Sequence, residues 1–120
     1  MRRIALSLFA ASVISPAFAA GNLSGNWQFD GDVDGHPVVM SCALVQDGTK
    51  VTGKCKSTEL GEWTISGEVN DQKVTLTYSV NYQGTDYTLN YAGTIDSSAA
   101  SLNGQIDVGG ASGVFTAKKE

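Results

Sequence analysis

The sequence predicts an all-β protein: a single antiparallel up-and-down eight-stranded β-barrel with one disulfide. Three observations carry this. Apolar and polar residues alternate with period two over most of the chain, interrupted by Gly, Asn and Asp. The interruptions are short, so consecutive strands must be antiparallel neighbours; parallel pairing needs long crossovers. Glycines also recur inside the strand pattern on the apolar parity, at Gly53, Gly67, Gly93, Gly104 and Gly113. A glycine weakens a strand interior unless the strand bends there or a neighbour comes close, and a tightly coiled small barrel needs both.

The N-terminus is read as a cleavable signal peptide over 1–19, followed by a barrel domain over 20–120. Arg2 and Arg3 supply a positive start, Ile4 to Ile14 an apolar stretch, Pro16 a break, and Ala17-Phe18-Ala19 a small-residue cleavage site. The apolar run is too short for a stable membrane-spanning helix. The expected location is secreted or periplasmic. The residue after the cut is Ala20 rather than Cys, which argues against a lipid anchor. Loss of Arg2 and Arg3 takes the net charge from −4 to −6. Such an acidic domain repels phosphate backbones, so nucleic acid and anionic membranes are poor partners.

The strands fall near 25–30, 37–46, 50–57, 61–70, 73–82, 85–95, 101–108 and 112–119. The fifth alternates most clearly, with Val74, Leu76, Tyr78, Val80 and Tyr82 on one face and Thr75, Thr77, Ser79 and Asn81 on the other. In the sixth, Tyr87, Leu89, Tyr91 and Ile95 share a face. All the apolar sets can face one interior, and closure removes the two open edges a flat meander would leave. Export to an oxidising compartment makes Cys42 and Cys55 a disulfide pair. A turn over Asp47–Lys50 pairs Gln46 with Val51, Leu44 with Gly53, and Cys42 with Cys55; a different turn type shifts this by one.

Gly25-Asn26-Trp27 at the first strand and Thr85-Asp86-Tyr87 at a late turn-to-strand junction resemble two short lipocalin signatures, G-x-W and T-D-Y. The first is shared by avidins and fatty-acid-binding proteins, so the domain resembles a calycin-like barrel. The resemblance implies an up-and-down barrel with a ligand site inside. The chain departs from it in lacking, after residue 3, any Arg to pack on the tryptophan, and in having no room for the C-terminal helix.

Candidate ligand-binding residues are the aromatics Trp27, Trp63, Tyr78, Tyr82, Tyr87 and Tyr91. Rings pointing into a barrel can hold an apolar or aromatic ligand, with hydroxyls orienting it. The competing reading is a filled interior, with any cavity small and near the mouth. Asp30, Asp32 and Asp34 before Gly35 match the first half of a calcium loop. The match stops where Ser41 replaces the expected bidentate Glu, and a solvated loop between the first two strands is the plainer reading. No other cofactor is implied.

His36 has no nearby nucleophile and makes no triad. Glu59, Glu62 and Glu68 lie close in sequence, but Glu62 and Glu68 share the outward parity. The expectation is therefore a non-enzymatic exported binding protein. Two forms of it stay open. One holds a small apolar or aromatic ligand at the barrel mouth. The other is a protein-binding or inhibitory barrel acting on an envelope or extracellular hydrolase through exposed loops such as Asp30–Pro37.

Overall fold

The computed structural model describes residues 22–120, so the signal-peptide segment lies outside the described residues. Eight strands follow one another: β1 (Gly25–Val33), β2 (His36–Asp47), β3 (Lys50–Ser57), β4 (Gly61–Asn70), β5 (Lys73–Tyr82), β6 (Thr85–Ile95), β7 (Ser101–Val108) and β8 (Ala111–Lys119). Each pairs antiparallel with the next, and β8 returns to β1, closing the barrel. Cys42 lies opposite Cys55 in the β2–β3 ladder, and the two are bonded. On the chain-entropy account a bridge closing so short a loop stabilises by about 2–3 kcal/mol.

Inward and outward positions alternate as the period-two pattern requires. The buried core is wholly apolar, apart from the hydroxyl and indole tips of its rings. Outward positions carry Thr, Ser, Lys, Asp and Glu, the reverse of the face that a lipid-embedded barrel presents. Rings fill the middle of the lumen. Phe29 stacks on Phe115 at 6.0 Å, and Tyr91 meets both rings edge-on, at 6.1 Å from Phe29 and 4.9 Å from Phe115.

The inward glycines mark where neighbouring backbones come closest. Gly67 pairs with Leu76, and a Cβ at Gly67 would strike the Thr75 carbonyl. Gly93 faces Gly104, and a Cβ at Gly104 would strike the Ala92 carbonyl. This small barrel coils tightly because those positions carry no side chain.

One expectation is corrected. The segment Asp30–Pro37 is not a loop. β1 continues to Val33, β2 begins at His36, and only Asp34 and Gly35 turn, both at positive φ (53° and 82°). Two left-handed residues form the turn whose twist matches the flanking strands, for which Asp-Gly is a preferred pair. Three closely spaced aspartates resemble a loop, yet Phe29, Gly31 and Val33 keep the inward parity through them. The longer β6–β7 connection is organised by Asp96. Its carboxylate accepts the Ala100 and Ser101 backbone N–H groups and the Ser98 hydroxyl. Those bonds hold its pKa down at about 2.

Replacing Gly67 by Ala should lower stability by about 1–3 kcal/mol, the usual cost of forcing atoms into a packed site. The outward neighbour Ser66→Ala should change it by less than about 0.5 kcal/mol. Urea unfolding of the two variants checks this; equal midpoints would contradict the close approach at Gly67.

Candidate functional site

The two ends of the barrel differ. The lower end, where the chain enters β1, is closed by its own sequence. Leu23 is fully buried there, its N–H donates to Gln46 Oε1 at 2.8 Å, and its carbonyl accepts Trp27 Nε1 at 2.9 Å. Gly25 takes a φ of 138°, which favours glycine over any side chain-bearing residue, and turns the segment Asn22–Ser24 across the opening. Lys119 lies directly opposite Trp27 on β8. Its Nζ sits 5.6 Å from the Trp27 ring centroid and donates to the Asn22 carbonyl at 3.1 Å. A cation on the tryptophan face is thus present without an arginine. Looking only for Arg misses it; a basic residue in the last strand is the signal that finds it.

The upper end is ringed by the turns at Asp34-Gly35, Thr58–Leu60, Gln83-Gly84 and Gly109-Gly110. Half-buried Val38, Trp63, Val80, Val108 and Ala111 pack against the core, most of them near this end. Here the ladders are incomplete. β4 pairs with β5 only from Ser66↔Thr77 down to Asn70↔Lys73. Gly61–Ile65 and Tyr78–Tyr82 both belong to strands, yet they do not pair with each other. β6 likewise pairs with β7 only from Asn90 onward. The β5–β6 hairpin, fully paired within itself up to Tyr82↔Thr85, therefore rises past the rim as a two-stranded ribbon. Its outer face is stitched by Ser79 Oγ to Thr88 Oγ1 and by Asn81 Nδ2 donating to Asp86 Oδ1, each 2.9 Å.

The six aromatics singled out from the sequence separate into three groups. Trp27 is buried at the closed end, its N–H and one face already used by Leu23 and Lys119. Tyr78 and Tyr91 are buried in the lumen with their hydroxyls 2.8 Å apart. Burial pushes the Tyr78 hydroxyl up to about 12, against a small opposing effect of the hydrogen bond; Tyr91 is raised by burial and by its partner. Trp63, Tyr82 and Tyr87 belong to the open end. The Trp63 ring lies 5.3 Å from Tyr78 and 40° out of plane with it. Tyr82 and Tyr87 are 40% and 39% exposed on the ribbon. Among the described residues, Trp63 Nε1 is the buried side-chain polar atom with no hydrogen-bond partner. A buried donor left in that state costs about 1–3 kcal/mol until an acceptor reaches it.

Asp30, Asp32 and Asp34 do not converge. Asp30 and Asp32 lie along β1, Asp34 turns, and Asp32 Oδ1 is used to accept the Gly35 N–H at 2.9 Å. Among the described residues no three His, Cys, Asp or Glu side chains gather as a cation site. His36 is exposed at the same tip. Glu68 pairs with Lys50 at 3.6 Å in the lower half of β4, away from Glu62 near the rim.

The tyrosine pair sets an alkaline limit. Both hydroxyls are held neutral in the fold, so their contribution is intact below about pH 10 and is lost as pH rises through about 12. Converting both to Phe should move the alkaline unfolding limb upward, followed by circular dichroism. Tyr78→Phe alone should cost about 1–3 kcal/mol by stranding the Tyr91 hydroxyl. An alkaline limb unmoved in the double variant would contradict this assignment.

No protein-family model matches this chain, and no curated protein matches it. What its residues can do is therefore read from their placement.

Proposed function

We propose that the protein is an exported, non-enzymatic binding module of calycin-like barrel type that holds a partner protein at its open rim. One observation carries this reading: the lumen is occupied by the protein's own rings, while the apolar surface continues outward along Val80 to the exposed rings of Tyr82 and Tyr87. Aromatic side chains at a rim are the residues that anchor protein interfaces. Export is supported by the N-terminal signal pattern and by the formed Cys42–Cys55 bond, which needs an oxidising compartment. The calycin resemblance is supported by the closed antiparallel barrel and by the lysine stacked on the G-x-W tryptophan. An inhibitor of an envelope or extracellular hydrolase is one partner-binding role that such a rim suits.

A second reading has its own support. The unpartnered Trp63 Nε1 beside Tyr78 can donate to a small apolar or aromatic ligand carrying one acceptor, seated at the mouth. The two readings separate in one experiment. A photo-crosslinking phenylalanine analogue at position 87 should capture a protein in the exporting cell, while the same group at Lys73, near the closed end, should not. Absence of any protein adduct at position 87 counts against the partner reading. Native mass spectrometry of the same sample showing a bound small-molecule mass would favour the second.

A further inference from the structure

The seam between β4 and β5 leaves identifiable backbone groups unpaired. In an antiparallel ladder the N–H and C=O of successive residues point alternately to the two neighbouring strands. The Ile95 N–H donates to the Gln72 carbonyl at 2.9 Å, and the Val69 N–H to the Thr49 carbonyl at 2.8 Å. Those two bonds set the parity of the sheet. Val74, Leu76, Tyr78 and Val80 use their backbone groups on β6, and Val69, Gly67, Ile65 and Trp63 use theirs on β3. The residues whose backbone faces across the seam are then Ser66 and Thr77, which pair, and above them Glu62 and Thr64 on β4 and Ser79 and Asn81 on β5, which do not.

We infer that this seam takes up one extended segment of the partner protein, added as a strand to the free edges of β4 and β5. The inference rests on the rim-binding reading above. Strand addition supplies the backbone bonds that Glu62, Thr64, Ser79 and Asn81 lack, and alternate side chains of the added strand read the two faces. Inward side chains meet Trp63 and Val80, so they are apolar. A carbonyl of the same segment is the nearest kind of acceptor for the buried Trp63 Nε1. Outward side chains meet Glu62 on β4 and Asp86, which is tied to Asn81 on the ribbon. Lys56 and Lys54 stand opposite Glu62 and Thr64 on β3 and offset much of that charge. Glu59 in the adjoining turn keeps the balance acidic. The segment that fits is therefore one alternating basic and apolar residues. A second copy of this chain fits poorly, because the chain is acidic, −4 over the full sequence and −6 without Arg2 and Arg3, and two copies repel.

The test uses the disulfide-bonded protein and a short blocked peptide of alternating lysine and valine, with amide exchange read by NMR. The peptide should slow exchange at Glu62, Thr64, Ser79 and Asn81. The same peptide with N-methylated valines should bind about tenfold more weakly or worse, since each lost kilocalorie-scale set of bonds is worth about a tenfold change in affinity. The glutamate–valine peptide should not bind. On the protein side, Ser79→Pro and Ser79→Ala both lose the hydroxyl bond to Thr88, but only the proline removes a free-edge N–H, leaving the β5–β6 backbone bonds in place, so Ser79→Pro should weaken binding where Ser79→Ala does not. N-methylation probes the same bonds should the proline variant fold badly. Binding with no protection at these amides overturns the inference, as does equal binding of the glutamate peptide. Protection without peptide, accompanied by a dimer in sedimentation, overturns it in favour of a second copy. Crosslinks at position 87 with an inert seam would leave the rim reading standing and remove only this one.

Discussion

The β4–β5 ladder ends at Ser66↔Thr77, one residue above the glycine pair Gly67↔Leu76, and the division of this barrel into a sealed body and an open rim depends on that limit. An eight-stranded lumen is just wide enough for side chains to fill. Phe29, Phe115, Tyr91 and Tyr78 take the middle of it, and inward glycines such as Gly67 and Gly104 sit where a neighbouring carbonyl leaves no room for a Cβ. Gly67 gives β4 that freedom opposite Leu76. Above it β4 carries Ile65 and Trp63, and β5 carries Tyr78, Val80 and Tyr82, with no glycine on either strand until Gly61 at its very end. Pairing stops at Ser66↔Thr77, and above it the Trp63 and Tyr78 rings meet at 5.3 Å with no ladder between their strands.

The two ends then differ in how their polar groups are satisfied. At the lower end the chain closes itself, with Leu23 as the plug, Trp27 bonded to it, and Lys119 laid over the indole and bonded to Asn22. Each of these groups is satisfied by another part of the protein. At the upper end the reverse holds. The Trp63 indole N–H is buried without an acceptor, and backbone groups on two strands are unpaired. Aromatic surface extends onto a ribbon that no other strand flanks. Native structures otherwise pair such hydrogen-bonding groups, and that contrast is what supports the proposed partner at the rim.

Much of this was legible in the residues. Period-two alternation and two-residue turns place the strands within a few residues, and counting out from Asp47–Lys50 puts Cys42 opposite Cys55, as found. The inward glycines point to tight coiling, which their contacts bear out. Three things were harder to read. The aspartates at 30, 32 and 34 looked like a loop because charge masked the parity of Phe29 and Val33. Lys119 is hard to read because the resemblance implies a guanidinium on the tryptophan, although a lysine amine meets an aromatic face as well. The seam could not be read at all, since a strand shows the same alternation whether or not its edge is paired.

Amide hydrogen exchange of the free protein, resolved residue by residue, tests the open seam most directly. Alternate residues of the same strands should behave oppositely. Glu62, Thr64, Ser79 and Asn81 should exchange quickly, while Trp63, Ile65, Tyr78 and Val80, bonded to β3 and β6, should be protected. Uniform protection along β4 and β5 would mean that the ladder is complete to the rim, and would contradict the account.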